Sequence, residues 1–163
     1  MAAGRFLLLG HLQVSAVIAR FLVLALPPPS SLMHTKTSLA LAEEMEDRFL
    51  DFAARICALV EALPDTKTGR HISGQMIRCG TSPAPNYAEA CAAESRNDFT
   101  HKLGIVLKEL RETRIWLKLV QKTASMKVGR LAPLIEECSE LMNIIGKSIV
   151  TAKTNAPSRS KRG

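Results

Sequence analysis

Between Phe99 and Val120 the chain places Phe99, Leu103, Val106, Leu110, Thr113, Leu117 and Val120 at alternating spacings of four and three. On a helix of 3.6 residues per turn this spacing draws one long, narrow stripe, the form required for antiparallel packing in a bundle. Ser95 stands ahead of the stripe as an N-cap, with Asp98 three residues on as a shortened capping-box partner. Ile105, Trp116 and Leu119 fall to one side and widen the apolar surface. A surface this wide can face both a core and a neighbouring subunit.

The rest of the chain supplies helices to match. From Ser38 to Leu63, the residues Met45, Phe49, Phe52, Ile56, Leu59 or Val60, and Leu63 follow the same rhythm, with Ser38 as N-cap and Pro64-Asp65 as the stop. A second helix is expected from near Thr68, turning Ile72, Met76 and Cys79 inward. Pro83 and Pro85 each remove a backbone donor, so this helix must kink or break within Gly80–Asn86 and restart towards Tyr87. After Gly129, a last helix carries Leu131, Leu134, Ile135, Cys138, Leu141, Met142, Ile145 and Ile149, with Pro133 placed in its first turn. The expected fold is all-α: an up-down-up-down antiparallel four-helix bundle with a proline-broken second helix, over residues 38–152.

The net charge of +7 belongs to the ends. Residues 1–40 hold three bases and no acid, residues 153–163 hold four bases and no acid, and residues 41–152 balance 15 bases against 15 acids. Overall basicity is therefore poor evidence for nucleic-acid binding by the folded part. Residues 1–32 carry an apolar run from Phe6 to Leu26, interrupted by His11, Gln13 and Arg20, and then three prolines. They read as a signal peptide with Ala40-Leu41-Ala42 as the cleavage tripeptide, as a membrane-active leader, or as sequence upstream of a translation start at Met33; the last is preferred. Arg20 splits the apolar core, cleavage after Ala42 would cut the first helix, and the unbroken apolar stretches are too short for a stable membrane span. Residues 1–37 are thus a leader, disordered or outside the mature protein, and residues 153–163 a basic disordered tail.

Chemistry finds little support. Cys57, Cys79, Cys91 and Cys138 are widely spaced with no CxxC or CxxH pair, and are expected as buried, reduced thiols. Glu109 and Glu112 are three apart and Glu89 lies on the preceding helix, but the Glu-x-x-His spacing of bundle metal sites is missing. No nucleophile with an adjacent base and no Gly-rich phosphate loop is evident. No catalytic residue, metal, cofactor or small-molecule substrate is expected. Arg78, Ser82, Asn86, Glu89, Glu109 and Glu112 read as a structural polar joint. In this reading Ser82 or Asn86 satisfies backbone groups freed by the prolines, and an Arg–carboxylate pair between helices sets register.

Arg78, Gly80, Thr81, Ser82, Asn86, Ala88, Glu89 and Ala90, then Ser95, Asp98, Phe99, Lys102 and Leu103, then Lys108, Glu109, Glu112, Thr113, Trp116 and Leu117 stand in an order that closely resembles the signature of the small bacterial proteins named after the 23S ribosomal RNA intervening sequence. The likeness extends more weakly over about residues 40–152. Where that family has Val-Gly-Ala, this chain has Pro83-Ala84-Pro85, which stiffens the joint. The resemblance implies a four-helix bundle in the cytoplasm that forms homo-oligomers, typically pentameric rings. A related bundle serves diversity-generating retroelements by contacting a reverse transcriptase and nucleic acid through a basic surface, an analogy at the level of fold.

Two functions follow as expectations. The first is a non-enzymatic, self-associating interaction or scaffolding module with Phe99, Leu103, Trp116 and Leu119 as interface anchors. The alternative is a nucleic-acid-binding accessory protein, for RNA or DNA, using Lys102, Lys108, Arg111, Arg114 and Lys118 with Arg159, Lys161 and Arg162 of the tail. Against this alternative, the helix cations are expected to pair with Glu109, Glu112 and other acids.

Overall fold

The computed structural model describes residues 38–123 and 128–154. They form five helical segments and no strand: α1 (Ser38–Glu61), α2 (Lys67–Thr81), α3 (Pro83–Cys91), α4 (Arg96–Lys122) and α5 (Val128–Thr154). Only Ser82 separates α2 from α3, and its φ of −59° and ψ of −31° are helical. The two segments are one broken arm, so the described residues make four arms. Neighbours in the chain are neighbours in space: α1 packs on α2 and α3, both of these on α4, α4 on α5, and α5 back on α1.

The α4 stripe is the spine of the core. All seven of its positions are buried, Thr113 included. Each fully buried leucine contributes about 1.5–3 kcal/mol of apolar transfer. Phe49, Phe52 and Ile56 of α1, Ile72 and Met76 of α2, and Leu131, Leu141 and Ile145 of α5 close around it. Phe49 meets Tyr87 of α3 with ring centroids 5.0 Å apart. The single buried hydroxyl of the stripe is satisfied locally: Thr113 donates to the Glu109 carbonyl at 2.8 Å.

Helix boundaries follow their caps. Thr66 Oγ1 accepts from the Gly69 amide at 3.0 Å and starts α2 at Lys67. Ser95 Oγ accepts from the Asp98 amide at 3.1 Å and starts α4. Pro83 and Pro85 sit in the first turn of α3, where their missing amides would have had no partner within that helix, so the break is confined to one residue. Pro133 differs from expectation. Because α5 begins at Val128, it lies past the first turn and leaves the Gly129 carbonyl without its helical donor. Helix α5 also runs through Lys153 and Thr154, into the stretch expected as tail. The readings of residues 1–37 and 155–163 lie outside the described residues.

Candidate functional site

Ser82 and Asn86 hold the joint through the backbone. Ser82 Oγ donates to the Arg78 carbonyl at 2.6 Å, Thr81 Oγ1 donates to Ile77 at 2.6 Å, and Asn86 Nδ2 donates to Ser82 at 2.8 Å. The Arg78 and Ser82 carbonyls already accept the Ser82 and Asn86 amides, so these side-chain bonds reinforce the turn. Contrary to the expectation, none of them reaches the carbonyls of Cys79 and Thr81, which lose a donor to Pro83 and Pro85. The joint is also tight, because Gly80 lies directly against Ile56 of α1. The interhelix Arg–carboxylate pair is not formed. Arg78 and Glu89 are exposed and make no ion pair with a described residue, since both project away from the packed side. Glu109 and Glu112 do face this arm. Burial first, then their charge, pushes the Cys79 thiol upward. Glu112 accepts a long bond from Trp116 Nε1 at 3.4 Å, and Trp116 meets His71 edge-on at 5.7 Å.

The interface anchors divide. Leu103 is fully buried and Phe99 nearly so, which makes them core. Sequence spacing cannot make this distinction, because a stripe at one helix's centre reads the same whichever body covers it. Trp116 is half-buried and Leu119 is exposed, flanked by the more exposed Ile115. Together with Ile77 these are the large apolar side chains that α2 and α4 leave in solvent.

The helix cations behave differently from expectation. Lys102 pairs with Asp98 at 3.2 Å. Lys108, Arg111 and Lys118 are exposed and pair with none of the described acids. Glu109 and Glu112 lie on the flank of α4 turned towards α2, away from Arg111 and Lys118. Arg114 is half-buried, and its Nε has no hydrogen-bond partner. Its guanidinium leans towards Cys138, whose thiol is pushed up to about 12, chiefly by burial. Arg159, Lys161 and Arg162 lie outside the described residues.

A groove that the sequence reading missed opens between α1 and α5. Its volume is about 940 Å³, and Leu41, Met45, Leu107, Met142, Ile144 and Val150 give it an apolar lining. Glu44, Arg48, Arg111 and Lys147 also line it. The α1 and α5 arms are tied together at Arg48: Nε bonds Glu137 at 2.7 Å and a terminal nitrogen bonds Glu140 at 2.5 Å. The sequence signal was faint. Leu41, Ile144 and Val150 are apolar residues off the main stripes, and only the fold shows that the described helices leave Val150 exposed and the other two half-buried.

Three of the four cysteines are buried and all four are free thiols, with Cys57 half-buried. Among the described residues no three His, Cys, Asp or Glu side chains gather as metal ligands would. No helix among them is long and apolar enough to cross a membrane.

Comparison with known proteins agrees with this helical architecture. A crystal structure of a protein of unknown function from the S23 ribosomal protein family of Bacteroides thetaiotaomicron is 35% identical, with a TM-score of 0.60. The match covers 64% of this chain and 96% of that one. No relative is found among curated proteins. A family model described as 23S rRNA-intervening sequence protein matches residues 30–147, and the chain belongs to that family.

Proposed function

We propose that this chain is a non-enzymatic, self-associating four-helix bundle, up-down-up-down in topology, that serves as a cytoplasmic interaction or scaffolding module. One observation carries the reading: the α1–α5 groove presents apolar side chains that the chain's own described helices leave only partly covered, with Val150 exposed. An apolar groove rimmed by charge is the usual form of a helix-binding surface. The short links between arms support the antiparallel topology. Sedimentation velocity at micromolar concentration tests the reading. A discrete multimer that persists at high salt is expected, because apolar contact resists screening. A monomer under those conditions sinks it. A pentamer is the stoichiometry that the family likeness favours.

A second reading, nucleic-acid accessory binding, is supported by the exposed cations Lys108, Arg111 and Lys118, which no described acid neutralises. Phosphate contacts release counterions, so affinity should fall steeply with salt. A ring would multiply each basic tail and raise avidity. Fluorescence anisotropy of structured RNA and duplex DNA across a salt series tests it. Absence of binding at low salt removes this reading and leaves the protein-only module.

A further inference from the structure

The groove has a counterpart elsewhere on the same molecule. At 3.6 residues per turn, Leu39, Glu43, Asp47, Leu50 and Ala54 fall within an arc of about 80° on α1. All five are exposed, and Leu39 and Leu50 keep 50% and 58% of their surface in solvent. This face carries two acids and no base. It points away from the side of α1 that lines the groove, which is formed by Leu41, Glu44, Met45 and Arg48. From Leu39 to Leu50 it runs ~16 Å, and the α5 wall of the groove from Met142 to Thr151 runs ~13 Å.

We propose that the groove of one copy receives the Leu39–Ala54 face of α1 from a second copy, head to tail. This rests on the self-association reading and names the surfaces that carry it. The apolar pair Leu39 and Leu50 lies over Leu107, Met142 and Val150, while Glu43 and Asp47 meet Arg111 and Lys147. Charge selects the occupant. Arg111 and Lys147 are exposed and pair with no described acid, whereas Arg48 is already held by Glu137 and Glu140. The chain's own leader is the rival occupant by reach, but it brings three bases and no acid to a groove whose unpaired charges are positive. Because the two surfaces differ, the contact is heterologous and propagates until the rotation closes a ring.

Charge reversal in the full-length chain tests this, read by sedimentation velocity with circular dichroism to confirm folding. Arg111→Glu with Lys147→Glu spoils only the groove, and Glu43→Lys with Asp47→Lys spoils only the α1 face. Each double variant should raise the dissociation constant by about a hundredfold or more. Mixing the two variants should restore association, since each then offers the surface the other needs. Wild-type assembly in both variants overturns the proposal and leaves the self-association reading intact. A monomeric wild type overturns both. Hydrogen exchange that protects residues 6–26 but not the α1 face assigns the groove to the leader and also overturns the proposal.

Discussion

Gly80 and Ile56 are in direct contact between α2 and α1: a Cβ on the glycine would lie 2.6 Å from the isoleucine Cγ2. The methyl belongs to a β-branched side chain that is fully buried, so it cannot swing aside. This tight contact falls two residues ahead of the break at Ser82. That contact helps to fix where the broken arm sits on α1.

Gly80→Ala should destabilise the fold by about 1–3 kcal/mol through overpacking. Thermal unfolding measures it. Combining it with Ile56→Ala, which removes both Cγ atoms from the same contact, should cost less than the sum of the two single changes. Strict additivity would show that the arms do not depend on this contact.

The α4 core is legible in the sequence because a stripe at four-three spacing has only one face to bury, and all seven of its positions are buried. The caps Thr66 and Ser95 differ in this respect. Ser95 is followed by an unbroken pattern and is read directly, whereas Thr66 competes with Thr68 as a start and only its bond to Gly69 decides. The groove is not legible. It lies between α1 and α5, elements that are far apart in sequence, and periodicity carries no information on how two helices meet. For the same reason the split of Phe99 and Leu103 from Trp116 and Leu119 needed the fold.

Removing either cap tests the boundaries. Ser95→Ala and Thr66→Ala should each cost about 1 kcal/mol, seen as a lower urea midpoint with an unchanged slope. Substituting Asp at either position should retain most of the stability, since a carboxylate accepts the same amide bond. A neutral effect of Ser95→Ala would place the start of α4 elsewhere.

Arg48 is the tie at the groove. Its bidentate contact with Glu137 and its bond to Glu140 join α1 to α5. The guanidinium is only partly shielded, so screening limits its value. Arg48→Ala should cost about 1 kcal/mol, and Arg48→Lys should restore only part of it because an ammonium lacks the planar fork. Equal stability of the Lys variant and wild type would show that charge alone holds the two arms.

The buried thiols make the fold sensitive to alkali. Burial pushes Cys91 up to about 11 and Cys138 up to about 12 from an ordinary 9.0, and raises buried Tyr87 in the same direction. In the unfolded chain these thiols ionise near 9, so above that pH the unfolded state binds fewer protons and gains relative to the native one. Their contribution is fully present below pH 9 and is lost as the pH climbs through 11 and 12. At pH 10 the loss should be about 1 kcal/mol for each of the two thiols. Urea unfolding in reductant at pH 8, 9 and 10 should show this decline, and Cys138→Ala should flatten it while starting from a lower stability. Stability unchanged from pH 8 to 10 would mean that water reaches these thiols. The same burial sets reactivity: at pH 8, half-buried Cys57 should be labelled by a thiol reagent well before Cys79, Cys91 and Cys138.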